Sequence, residues 1–247
     1  MKSLVISLCL IVFGPGFSGA IGAEQPAAKK TRVLLTYGGH GFEEKQFFAM
    51  FDALPDVQYT KAPLPQSAGL LKPGLEKDFD VIVRYDMTPG FTPAQEKAFV
   101  ALLQRGIGLV ALHHNLGAHP KWSEYTKIIG GKYCYAVYQD GDKKFGPSAY
   151  EHDNDLQITV ADREHPITRG LADFAIHDEV YNHCYVAPDV HVLLTTNHAK
   201  NDPKIAWVHQ YGKSRVFYFQ LGHDWQTWKN PAYPEILTRG IRWAAGK

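Results

Sequence analysis

Apolar residues fall along this chain in two rhythms. Short apolar runs recur at Thr31–Tyr37, Val57–Thr60, Phe79–Tyr85 and Gly106–Leu112. Runs of that kind, with little polar alternation, are the pattern of parallel strands covered on both faces. Between them the spacing changes to that of helices. Phe47, Phe48, Phe51 and Leu54 line one face of the segment from Phe42 to Leu54, as a 3.6-residue period requires. Ala98, Phe99, Leu102 and Leu103 do the same in a segment that opens Thr92-Pro93-Ala94-Gln95 and stops at Gly106. Its start carries a capping-box pattern with proline at the first helical position. Strands alternating with helices, joined by right-handed crossovers, predict an α/β fold: a three-layer sandwich around a mostly parallel central sheet.

The second half is less regular. A short helix is expected over Trp122–Ile129, then the aromatic run Tyr133–Tyr138 and a charged, glycine-rich surface loop from Gln139 to Pro147. Leu156–Val160 alternates like a strand with one wet face. His165–Leu171 reads as a turn, and Phe174–Tyr181 sets acidic residues beside aromatic ones. Three strands follow at Val190–Thr196, Ile205–Gln210 and Val216–Gln220, the last two joined by a hairpin at Lys213-Ser214. A closing helix over Pro231–Ala244 buries Ile236, Leu237, Ile241 and Trp243. With no internal repeat and no second linker, residues 31–247 form one domain.

The N-terminus has a different character. Met1-Lys2 precedes the apolar run Leu4–Phe13, and small residues continue to Ala23. A charged start, a short apolar core and a small-residue region form an export signal, too short to span a bilayer as a mature helix. Residues 1–23 are therefore expected to be a signal peptide and 24–30 a linker, with the mature protein periplasmic or secreted. Cys134 and Cys184 are then the remaining thiols. They could pair in an oxidising compartment, and two unpaired buried thiols are an equal expectation.

Composition narrows the partners. A chain 45% hydrophobic and 21% charged can bury a full core, and a formal net charge of +1 offers no basic surface for nucleic acid. The 12 histidines are the unusual feature, since imidazole titrates near neutrality and ligates metals. His40 lies in the turn Gly38-Gly39-His40-Gly41, which lacks the spacing of a nucleotide-binding loop. His113 and His114 end the central apolar run, and His223 follows Leu221-Gly222. All four follow predicted strands, so parallel strands would bring them to one sheet edge, where α/β proteins place their chemistry.

Several of these segments together resemble a known family. Tyr37-Gly38-Gly39-His40, Leu112-His113-His114, His165–Leu171, Asp178-Glu179-Val180-Tyr181, Leu221-Gly222-His223-Asp224 and Arg239–Trp243 are similar to the ThuA-like (trehalose-utilisation) family. The resemblance runs from Val33 to Ala244. It implies a flavodoxin-like fold similar to class I glutamine amidotransferases, and a role in sugar metabolism, often beside oxidoreductases that make 3-keto-glycosides. Amidotransferases carry a nucleophilic cysteine on a tight turn after the central strand. Here that turn holds His113-His114-Asn115, with both cysteines elsewhere, so thiolate chemistry is excluded. The late His223-Asp224 pair resembles the amidotransferase His–acid position.

The expected catalytic residues are His223, His113, Glu179 and Asp224, with Glu179 preferred to Asp178 for its reach. His40, Tyr181, Trp225, Asn115 and His114 are expected to bind substrate, a carbohydrate or keto-sugar. Adjacent strand residues face opposite ways, so His113 and His114 are expected to reach one site together only if the strand has already ended, and one of them is otherwise a hydrogen-bonded structural residue. A zinc-like divalent metal on His40, His113, His223 and Glu179 and metal-free acid–base work stand level. An isomerase, hydratase or hydrolase fits, as does a non-catalytic carbohydrate-binding protein or a partner of a sugar oxidoreductase. Self-association is admitted.

Overall fold

In a computed structural model, Met1 and residues 29–247 are described. The expected signal peptide and the first part of the linker otherwise lie outside the described residues. The fold begins with β1 (Thr31–Gly38), α1 (Glu44–Asp52), β2 (Val57–Pro63), β3 (Val81–Asp86), α2 (Pro93–Leu103) and β4 (Gly108–Leu112). It continues through α3 (Ser123–Ile129), β5 (Gly131–Lys132), β6 (Tyr138–Asp140), β7 (Lys143–Phe145), β8 (Ala149–Val160) and β9 (Phe174–Asn182). β10 (Tyr185–Val186), β11 (His191–Thr196), β12 (Lys204–Tyr211), β13 (Ser214–Phe219), α4 (Trp225–Trp228) and α5 (Ala232–Ala244) complete it.

Nine strands form one sheet in the order β2-β1-β3-β4-β13-β12-β11-β8-β9. The first five run parallel, and the wing from β12 to β9 is antiparallel. The apolar runs form the parallel part because both of its faces are covered. Val33, Leu35, Val110 and Leu112 pack with Phe47, Phe51, Ile236 and Ile241 on one face. Leu34, Leu109 and Ala111 pack with Phe99, Leu102, Ile128 and Ile129 on the other. The α2 cap forms as the sequence requires: Gln95 N donates to Thr92 Oγ1 at 3.3 Å, and Thr92 N donates to Gln95 Oε1 at 2.9 Å. Among the described residues no helix is long and apolar enough to cross a membrane.

Two segments differ from expectation. The stretch read as a surface loop from Gln139 to Pro147 contains the hairpin β6–β7, with Asp140 opposite Lys143 and Gly141 at φ 56° in its turn. The strand expected at Leu156–Val160 starts earlier, at Ala149, and pairs with β9 through a register shift between Glu151 and Asn154. The polar run Glu151–Asp155 hid this extension, because a bulged, solvent-facing strand loses its alternation.

β13 is the strand that assembles the site. It crosses back to lie parallel to β4, with Phe219 opposite Leu112. The carboxyl ends of β1, β4 and β13 therefore share one edge, and His40, His113 and His223 follow those ends.

Candidate active site

The site begins where β4 stops. His113 adopts φ 49°, the left-handed region, and opens a 3₁₀ turn over His113–Gly117. A non-glycine residue there is strained by about 1–3 kcal/mol, a cost that persists only where surrounding contacts hold it. These contacts are present. His113 Nδ1 donates to the Gln220 carbonyl at 2.7 Å. Its Nε2 lies 3.1 Å from Glu179 Oε2 and 3.2 Å from the Tyr181 hydroxyl. Glu179 and Tyr181 alternate on β9 and so face the same way.

Asp178 faces the other way and ties the pieces together. Its Oδ1 accepts from Glu179 N at 2.8 Å and His223 N at 3.0 Å, and its Oδ2 accepts from Gly222 N at 2.8 Å. Gly222 sits at φ 135°, and a Cβ there would lie 2.8 Å from the Tyr233 hydroxyl. Glycine is what lets this loop turn His223 inward. His223 Nδ1 ends 3.6 Å from Glu179 Oε2. One ligand atom each from His113, Glu179 and His223 falls within 4.8 Å of the others, a donor set fitting a divalent cation with open positions.

Charge follows from burial and pairing. Burial raises the Glu179 carboxyl, but the hydrogen bond and charge of His113 outweigh it and leave it below its ordinary range. Burial likewise lowers His113, and Glu179 outweighs it to leave the imidazole above its ordinary value. Because Nδ1 already donates to Gln220, Nε2 can face a carboxylate only across a proton or a cation. Burial, then the charges of His113 and His40, hold His114 well below its ordinary value. Burial, then His113, lower His223 as well. Burial pushes Asp178 up, against the pull of His113 and its three amide donors.

Next to this group lies a cavity of about 190 Å³. His40, Met87, His114 and Gly117 line it from beyond the parallel strands, Tyr133 and Tyr135 from the loop after β5, and Tyr150, His152, Glu179 and Tyr181 from β8 and β9. Glu179 thus connects the buried His113 to the open space. Its second oxygen, Oε1, lies 3.4 Å from His152 Nδ1.

The expected site residues divide. His113, His223, Glu179 and Tyr181 come together. His114 also lines the cavity, which is open to it because the strand has already ended at Leu112 and the 3₁₀ turn breaks the strict alternation. His40 lines the cavity too, stacked on His114 at 4.8 Å between centroids, but it stands outside the three-residue donor group. Three residues are placed elsewhere. Asn115 is fully buried, its amide donating to the Asp86 carbonyl at 2.6 Å and accepting from the Tyr125 hydroxyl. It holds the turn and is absent from the cavity lining. Asp224 caps α4, accepting from Gln226 N at 2.8 Å and Thr227 N at 3.3 Å, because a short acid just before a helix finds its amides first. Trp225 is 44% exposed with Lys229 Nζ 3.8 Å from its ring centre, away from the cavity lining. His152, Tyr133, Tyr135 and Tyr150 escaped sequence reading. The local signal for His152 was the polar interruption before Leu156, where Asp153 takes φ 59° and the bulge re-aims the strand.

This geometry can be set beside known proteins. The family model described as ThuA, trehalose utilisation, matches residues 32–244. The chain belongs to the ThuA family. No curated protein matches this ThuA-family chain. Among solved structures, it is similar to a ThuA-like protein of Parabacteroides merdae, 20% identical, with a TM-score of 0.72 over 89% of this chain and 91% of that one. A ThuA-like protein of Bacteroides uniformis is 21% identical, with a TM-score of 0.67 over 91% and 95%. A beta-galactosidase of Bacillus circulans sp. alkalophilus is 10% identical, with a TM-score of 0.56 over 87% of this chain and 31% of that one. At such identities the likeness is one of fold. Both cysteines of the ThuA-family domain are unpaired and buried. Burial pushes the Cys184 thiol up to about 12 and raises Cys134 too, which disfavours a thiolate.

Proposed function

We propose that this protein is an exported enzyme of carbohydrate metabolism that holds one sugar or keto-sugar ring in the cavity and moves a proton with Glu179. The observation that carries this reading is the double contact of Glu179, which faces buried His113 with Oε2 and cavity-lining His152 with Oε1. His113 balances the carboxylate charge and orients it. Glu179 takes a proton from a carbon beside the sugar carbonyl. His114 and His152 line the same cavity and bound the space around the oxygen that gains charge. At about 190 Å³ the space lies below the usual range of ~300–1,000 Å³ for ligand pockets, which suits a single ring with tyrosine faces against it. Export is supported by the leader-like pattern from Met1 to Ala23.

The test is wash-in of solvent deuterium at the carbons beside the carbonyl of 3-keto-glucosides, followed by NMR. Glu179→Gln is expected to slow it by about 10²–10⁴-fold, the usual worth of a positioned base, with sugar binding retained. Equal rates in variant and parent would reduce the protein to a sugar-binding role.

A second reading is favoured by the compact donor set of His113, Glu179 and His223. A divalent cation there would polarise the sugar carbonyl or activate water, and the Gln220 carbonyl on His113 Nδ1 is the kind of partner that orients a ligating imidazole. Stoichiometric metal in the purified protein, lost in both His113→Ala and His223→Ala, would establish it. Metal content unaffected by either substitution would dismiss it.

A further inference from the structure

The segment that carries His113 is strained at both ends. His113 has φ 49° and His119 has φ 51°, both in the left-handed region, where a non-glycine residue persists only if its surroundings hold it. His113 is held from the end of β13, by the Gln220 carbonyl on its Nδ1 and by the Tyr218 hydroxyl, which donates to the His113 carbonyl at 2.9 Å. His119 is held from the end of β3. Its backbone N donates to the Thr88 carbonyl at 2.8 Å, and its Nε2 accepts from Arg84 Nη2 at 2.9 Å. The same strand end collects the residues between: His114 Nε2 donates to the Tyr85 carbonyl at 3.4 Å and Asn115 Nδ2 to the Asp86 carbonyl at 2.6 Å.

Arg84 joins the strand to this segment. It is fully buried, and its Nε and Nη2 donate to Asp86 Oδ1 and Oδ2 at 3.0 and 2.7 Å while Nη2 also donates to His119. Thr36 Oγ1 donates to Asp86 Oδ1 at 2.7 Å, which fixes the carboxylate from β1. Arg84 Cζ lies 5.0 Å from the ring centre of Tyr125, whose hydroxyl donates to Asn115. Burial, then the charge of Arg84, push His119 down to about 3, so its ring stays a neutral acceptor. A buried ion pair is weak evidence for stability, because desolvation offsets its attraction, and its best-attested use is to fix one geometry. Arg84, Asp86 and His119 are all absent from the cavity lining.

We propose that Arg84 is a positioning residue: through Asp86 and His119 it holds the His113–His119 segment in the conformation that sets His113 against Glu179 and His114 at the cavity wall. The inference rests on the reading of Glu179 as the proton-moving group paired with His113, and adds to it a device that acts from behind the turn without touching substrate.

Two variants test it. The double variant Arg84→Met with Asp86→Leu replaces the pair by apolar side chains, a change that buried pairs tolerate in stability. Arg84→Lys keeps a charge for Asp86 but loses the planar fork that reaches His119 as well. Each is compared with the parent in thermal unfolding, in the proton–nitrogen NMR spectrum of the histidine side chains, and in the deuterium wash-in assay. The parent should show imidazole N–H signals protected from exchange for His113 Nδ1 and His114 Nε2. Folded variants should lose the protection of the His114 signal, lower kcat by about 10²-fold, the effect of a displaced catalytic group, and leave KM unchanged, because no ground-state contact is removed. Signals still protected in a folded variant, or an unchanged kcat, would overturn the proposal. Failure of both variants to fold would also overturn it, by making the pair a requirement of folding alone. A parent that exchanges no deuterium would overturn the proton-transfer reading instead, and the imidazole signals would then decide the positioning role by themselves.

Discussion

Replacing Asp178 by asparagine should cost the protein both stability and turnover. The Asp178 carboxylate accepts three buried backbone N–H groups, from Glu179, Gly222 and His223. An asparagine with its oxygen in the Oδ1 position keeps Glu179 and His223 and turns an NH₂ group towards the Gly222 amide. One buried donor then lacks an acceptor, which costs about 1–3 kcal/mol. In a domain of this size that lowers Tm by about 2–4 °C per kcal/mol, so a fall of about 2–12 °C is expected. Asp178→Ala strands all three amides at about 3–9 kcal/mol, comparable with the whole stability of a domain. Because the same amides set the positions of Glu179 and His223, displacement of either by an ångström should also lower turnover by about 10²-fold. The assays are scanning calorimetry and the deuterium wash-in per folded molecule. Burial holds Asp178 above its ordinary value, so the parent alone gains stability as pH falls through that raised value, and the deficit of the non-titrating variant should widen at low pH. A variant with unchanged Tm, or one that loses stability but keeps full turnover per folded molecule, would refute the idea that this residue sets the catalytic geometry.

Two further outcomes follow from the same structure. The His113–Glu179 pair has a defined pH window. Glu179 lies below its ordinary value of 4.5 in the fold, so its contribution is present above 4.5 and is lost as pH falls through the folded value. His113 lies above 6.5, so its contribution is present below 6.5 and is lost as pH rises through the folded value. In chelator, the Tm difference between parent and Glu179→Gln should therefore be largest between pH 4.5 and 6.5, and a difference that keeps growing at alkaline pH would contradict the pairing. Cys134 and Cys184 are 0% and 7% exposed with raised thiol values. A thiol reagent should label neither in the native protein and both after unfolding, and rapid native labelling would show that the segment carrying Tyr133 and Tyr135 opens.

Much of this protein is legible in its local pattern. The parallel strands announce themselves because both of their faces are covered and no position needs to be polar, as in Val81-Ile82-Val83 and Leu109-Val110-Ala111. The α2 cap is legible because a capping box spans four consecutive residues. The shared edge of His40, His113 and His223 is legible because each follows the carboxyl end of an apolar strand, and parallel strands end on the same side. Local chemistry misled where a nearer partner was available: Asp224 serves the amides of α4, and Asn115 serves Asp86 and Tyr125.

Only the tertiary structure decided which of these groups meet. Glu179 reaches His113 although β9 is the last strand of the antiparallel wing, with β13, β12, β11 and β8 between it and β4 in the sheet, a meeting no periodicity encodes. His152 reaches Glu179 through a bulge of β8, and His114 joins the cavity because the left-handed turn at His113 cancels the alternation of the strand. Side-chain period is a property of a few neighbouring residues, whereas the site depends on contacts separated by tens of residues. Their geometry is set by how nine strands share one sheet.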